Sequence, residues 1–168
     1  MTLAVAFFMT EAILMFSPES SLLSKYSHAA KTTGHGLLQA ATVLCALSGF
    51  GAIWYNKELK HRAHFTSWHG TMGVITITYI CVQILGGIAL KMKWLVGKRI
   101  TLAQNKLYHA TSGLLLYLCG LTTLSLGIYS GWFTQRVQVP VQYACLGSVV
   151  ILAFTVVNQV TKAYLAKK

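Results

Sequence analysis

Three of the six histidines stand at matching places: His35 in "GHGLLQ", His69 in "SWHGTMG" and His109 in "LYHATSG". Each lies within about a turn of the start of a long run without formal charge, whereas His28, His61 and His64 fall in connecting segments. A neutral imidazole offers one nitrogen lone pair, which suits it to metal binding. In a membrane such polar side chains cost a few kcal/mol and face the bundle interior. Three at equivalent depth therefore read as ligands, and the elements that carry them decide which can share a metal.

Those elements are apolar helices. The chain has 168 residues, 55% hydrophobic and 10% charged, with a mean hydropathy of +0.57; a soluble domain carries about a quarter charged residues. The net charge of +11 would suit nucleic acid only if it formed a continuous basic face on a soluble fold. Here the bases fill gaps between apolar runs, so lipid is the expected partner and nucleic acid is not. Gly34–Tyr55, Phe65–Leu90, Leu107–Gln135 and Val137–Thr161 each reach the length of about 20 residues that a bilayer demands. Pro140 suits a first helical turn, where a missing N–H does no harm. Met1–Phe16 is apolar but short, includes Glu11 and shows neither the basic lead nor the cleavage site of a signal peptide. It reads as a helix whose beginning is absent. The expectation is an all-α, multi-span transmembrane bundle over 1–168, a single domain of five spans with the first incomplete. Cys45, Cys81, Cys119 and Cys145 all fall inside apolar runs without a C-x-x-C pair, and read as small buried hydrophobes.

Successive spans must alternate in direction. Lys25, Lys31, Lys91, Lys93, Lys98, Arg99, Lys106, Lys162, Lys167 and Lys168 then share one face, side X. Lys57, Lys60, Arg62 and Arg136 share the other, side Y. The excess of bases makes side X, and with it the C-terminus, cytoplasmic. His35 and His109 both begin spans on side X and lie at one level; His69 begins on side Y, roughly 30 Å away. One pair and one single result, and the pair suits the two axial positions of a haem iron. Gly73 and Gly113, each four residues after a histidine, and Gly34 and Gly36 around His35 would leave room for a flat macrocycle, or serve as ordinary small-residue helix contacts. A mate for His69 should come from a span running in its direction. The last such span offers Asn158 and Gln159 but no histidine, and the first would supply its turn before Met1.

Beyond spacing, "MTEAILMFSPESSLL", "SWHG", "KLYHATSGLLLYL" and "VVNQVTKAYL" resemble the cytochrome b561 family, nearest to its animal domain-containing members, over essentially the whole chain. The resemblance implies six transmembrane helices and two haem b groups, one near each face. It also implies electron transfer from cytoplasmic ascorbate to monodehydroascorbate or a ferric chelate across the membrane. His35 and His109 resemble the ligands of the cytoplasmic haem, and His69 resembles one ligand of the other. The family's remaining ligand, in a His-Pro context, would fall just before Met1. The chain is therefore expected to lack the first helix and that ligand, leaving the second haem one side chain or a substitute. The resemblance further implies an endomembrane (vesicle, lysosome or endoplasmic reticulum) or the plasma membrane, and raises a homodimer.

An anionic donor needs positive charge beside the cytoplasmic haem, which singles out Lys31, four residues before His35, and Lys106, three before His109. Both also suit plain snorkelling anchors. On side Y, His64 is the candidate contact for an acceptor, or a solvated loop residue. Tyr108 and Trp68 line the haem or anchor the interface. Three rival functions stay open: a haem-binding anchor for a soluble redox partner, a truncated inactive form with a structural role, and a non-haem channel or metal transporter. Against the last, the three histidines do not converge on one level.

Overall fold

The computed structural model describes residues 2–17, 25–94 and 100–165. Met1, Lys98, Arg99, Lys167 and Lys168, all used in the reading above, lie outside the described residues. Helix α1 (Leu3–Leu14) is wound in the wide π form over Leu3–Met9 and in the α form over Thr10–Leu14. It is followed by α2 (His28–Leu59), α3 (Trp68–Lys91), α4 (Leu102–Ile128), the single turn α5 (Gly131–Thr134) and α6 (Val139–Val160). Among the described residues, α2, α3, α4 and α6 are long and apolar enough to cross a membrane, and α1 is shorter. This is the expected all-helical, multi-span bundle.

Side-chain caps set where the helices begin. Ser27 accepts from the Ala30 N–H, Ser67 from Gly70, and Thr101 forms a reciprocal capping box with Gln104, satisfying donors that the first turn leaves free. Pro140 sits in the first turn of α6, as expected. One expected span is divided: the uncharged run Leu107–Gln135 stops at Ile128, and Ser130 starts α5. The Ser130 hydroxyl donates to the Gly127 carbonyl at 2.6 Å and accepts from the Phe133 N–H at 3.4 Å. Charge alone gives no sign of that break, because a serine makes it.

Helix α4 is the hub, packed on α1, α3 and α6, while α1 also lies along α2. Close approach comes from small residues: a methyl group on Gly120 would stand 3.0 Å from Val5 Cγ1. With no water in a bilayer, buried hydroxyls must find protein partners. Thr42 donates to the Leu38 carbonyl at 3.0 Å and reaches the Ala4 carbonyl at 3.4 Å. Thr76 and Thr123 meet at 3.0 Å, and Thr10 meets the buried Tyr117 hydroxyl at 2.7 Å. Leu37, Leu44, Ile53, Val82, Leu85 and Phe154 are exposed on the outer faces, as lipid-facing positions should be.

Candidate functional site

His35 and His109 each stand eight residues beyond their N-cap, Ser27 and Thr101. Two helices starting on one face therefore deliver both rings to one level, and their ring centres lie 6.3 Å apart, edge to face. Two imidazoles on one metal at about 2 Å per bond need ring centres on the order of 6 Å apart. Helices α2 and α4 pack little on each other directly, and the two rings meet between them. That spacing fits the axial positions of a haem.

The surroundings of each ring decide which nitrogen is free. His35 Nδ1 lies 2.9 Å from the Ala12 carbonyl. That carbonyl is available because α1 tightens at its end: the Phe16 N–H turns to Ile13 and the Ser17 N–H to Leu14. A carbonyl accepts only, so Nδ1 carries the proton and Nε2 keeps its lone pair for a metal. Phe16 packs on the same ring at 5.5 Å. His109 is held differently. Gln83 Nε2 donates to the His109 carbonyl at 2.7 Å and stands 3.2 Å from the ring Nδ1. Its Oε1 accepts from the Ser112 hydroxyl at 2.9 Å, and Tyr79 donates to the Ser112 carbonyl at 3.0 Å. An amide N–H opposite Nδ1 favours a lone pair there. Were Nε2 to hold an iron, Nδ1 would carry the proton and the Gln83 amide would have to turn its oxygen toward it.

His69 lies apart from this pair, as expected. Its Nδ1 is 2.9 Å from the Thr123 carbonyl, and Thr123 stands fourteen residues beyond His109 on α4, about 21 Å along the axis. A carbonyl again faces Nδ1, leaving Nε2 unprotonated. Two glycines that the sequence reading passed over make these contacts possible. A methyl on Gly127 would stand 3.0 Å from His69 Cε1, and one on Gly87 would stand 3.2 Å from His109 Cε1. The glycines singled out by spacing do other work. Gly34 abuts Met15, Gly113 abuts Gln83, Gly73 lies 3.8 Å from the Thr123 methyl, and Gly36 has nothing within 4 Å. Three of the four are thus helix contacts. Sequence signals for the true ring neighbours were weak: a Gly-Gly pair at 86–87 and a glycine just before the α4 break.

On side X, Lys31 is half-buried one turn before His35, and Lys106 is exposed on the first turns of α4. On side Y, His64 is clipped to the end of α2: Nε2 meets Glu58 Oε1 at 2.7 Å and the ring stacks on Trp54 at 3.8 Å. Trp68 and Tyr108 are strongly exposed, as interface anchors are. All four side Y bases, Lys57, Lys60, Arg62 and Arg136, line one cleft of about 640 Å³ with Asn56 and Trp132. The four cysteines are free, Cys81 exposed and the others half-buried. Among the described residues no three His, Cys, Asp or Glu side chains gather into a metal cluster; His35 and His109 meet as a pair, and His69 stands alone.

Long apolar helices packed around one another define the class, an integral helical-bundle membrane protein, with two imidazoles meeting between separate helices. The family model described as eukaryotic cytochrome b561 matches residues 1–134, and the chain belongs to that family, whose cofactor is haem of the b type. It is 44% identical over 168 residues to transmembrane reductase CYB561D2 of Bos taurus, and 42% to that of Homo sapiens, in each case covering all of this chain and 75% of the relative. Probable transmembrane reductase CYB561D1 of Mus musculus is 36% identical over the same 168 residues, 73% of its length. No solved structure matches the chain. Membership makes this an integral, multi-pass membrane oxidoreductase that carries electrons across the bilayer.

Proposed function

We propose that the chain takes single electrons from cytoplasmic ascorbate at side X and passes them to an anionic acceptor at side Y, monodehydroascorbate or a ferric chelate. The observation that carries this reading is the 6.3 Å pairing of His35 and His109. Bound between them, haem b supplies the one-electron carrier. The protein's own share is orientation and environment: Ala12 fixes the His35 ring, the Gln83–Ser112–Tyr79 network holds His109, and Thr123 fixes His69 as the ligand on offer near side Y. Lys31 and Lys106 place positive charge where an anionic donor arrives, which raises its local concentration. On side Y the four-base cleft does the same for the acceptor, with His64 and Glu58 bracing its α2 wall. Within the membrane, apolar outer faces exclude water from the path. The cytoplasmic assignment of side X and the C-terminus follows from the basic residues, in an endomembrane or the plasma membrane.

A reduced-minus-oxidised difference spectrum with haem quantitation tests the pairing. His35→Ala and His109→Ala should each abolish the side X haem signal. Full haem content in both variants would overturn it. The anchor alternative separates cleanly: such an anchor binds haem yet is not reduced by ascorbate unless its soluble partner is added.

A further inference from the structure

Helix α3 grips His109 through a chain of hydrogen bonds whose directions are all fixed. The His109 carbonyl accepts only, so the Gln83 group 2.7 Å from it is the NH2 end of the amide. That leaves Oε1 to accept from the Ser112 hydroxyl at 2.9 Å. The Ser112 proton is thereby used, and Tyr79 donates to Ser112, 3.0 Å from both of its oxygens. The remaining amide N–H stands 3.2 Å from His109 Nδ1. With no bilayer water to offer another partner, Nδ1 meets that N–H with its lone pair, and the ring proton sits on Nε2. His35 is set the opposite way, because the Ala12 carbonyl takes its Nδ1 proton at 2.9 Å. The two rings thus meet at 6.3 Å with one ready to ligate through Nε2 and the other not.

We propose that Gln83 is a positioning residue that gates haem loading at side X, its amide keeping Nε2 of His109 protonated until it turns. The inference rests on the haem reading above. Ligation through Nε2 moves the ring proton to Nδ1, where an acceptor is then needed. Flipping the amide in place would set Oε1 against the His109 carbonyl, acceptor on acceptor, so the side chain must swing clear as it turns. Its present seat depends on Gly113, where a methyl group would stand 3.0 Å from Gln83 Nε2. Once turned, Oε1 accepts from Nδ1–H and the NH2 donates to Ser112, whose own hydroxyl is released toward Tyr79. No net proton is gained or lost, and the same groups serve both states. Loading is slowed by the bonds that must break first, and the completed ligand is the more basic for its new acceptor.

The test uses the full chain carrying nitrogen-labelled histidine and glutamine, read by NMR first without haem and then loaded. Without haem, wild type should show His109 unprotonated at Nδ1 and protonated at Nε2. With haem, Nδ1 should carry the proton and the Gln83 amide signals should move. Gln83→Leu removes the amide and Gly113→Ala pushes it from its seat, so each should take up haem roughly tenfold faster than wild type. Gln83→Leu also removes the acceptor for Nδ1–H in the loaded protein, so its midpoint potential should rise. Packing damage between α3 and α4 would not couple faster uptake to that rise. A His109 already protonated at Nδ1 without haem, or uptake no faster in either variant, overturns the proposal. Wild type that binds no haem at side X overturns the pairing of His35 with His109 instead, so the two failures are distinguishable.

Discussion

The two ends of the bundle hold imidazoles by different means. At side X, two rings come from two helices at equal distance from their caps, and they meet. At side Y, His69 sits two residues past its cap, Ser67, and rests on the α4 backbone. His35 and His69 both place Nδ1 against a backbone carbonyl, one freed by the tightened end of α1 and one exposed by Gly127. His109 alone faces a side-chain amide. The difference teaches that ring level is set by helix starts, whereas ring electronics is set by whatever the neighbouring helix presents. A backbone carbonyl holds a tautomer permanently; an amide can be turned.

The largest expected effect breaks the comparison directly. His109→Ala should remove all haem held at side X, while His69→Ala should leave that haem and its spectrum intact. If His69→Ala removed the same signal as His109→Ala, the rings would share one site and the separation of about 21 Å would be wrong. A second, smaller crossing uses the glycines. A methyl on Gly127 presses His69 and one on Gly87 presses His109, at 3.0 and 3.2 Å respectively. Overpacking of this kind costs about 1–3 kcal/mol. Gly127→Ala should disturb only the side Y ring, and Gly87→Ala only side X haem retention. Loss of side X haem in Gly127→Ala would show the two ends to be coupled.

Charge offers a third way to sharpen the contrast. Paired substitution Arg62→Gln and Arg136→Gln should raise the KM for ferric citrate roughly fivefold with the rate of haem reduction by ascorbate unchanged. Lys31→Gln with Lys106→Gln should do the reverse. If both pairs acted on the same half-reaction, sidedness as assigned from the basic residues would not hold.

Much of this arrangement was legible before the fold was known, for identifiable reasons. Span positions follow from where charge is missing, and the level of His35 and His109 follows from helices that start on one face. What escaped was supplied by groups without sequence identity. Any residue could donate the carbonyls of Ala12 and Thr123, so nothing in their side chains marks them. Gln83 reads as an incidental polar residue in an apolar run until α3 is laid against α4. Gly87 and Gly127 matter because of a ring on another helix, which periodicity along one helix does not reveal. The break after Ile128 likewise depends on one hydroxyl.

The smallest predicted effect concerns a feature the two ends share. Helix α2 ends on side Y with His61 at φ 47°, and α3 ends on side X with Lys93 at φ 56°. Each sits where a Schellman closure wants a left-handed residue: Arg62 N–H returns to the Lys57 carbonyl at 2.9 Å, and Trp94 N–H to the Ala89 carbonyl at 3.0 Å. Side chains in that region cost about 1 kcal/mol or more relative to glycine. His61→Gly and Lys93→Gly should therefore each raise the thermal midpoint by a similar few degrees, with haem content unchanged. Both residues lie outside the ring contacts, so a shift in haem content from either one would mean that the helix ends, and not only the helix starts, set the level of the rings.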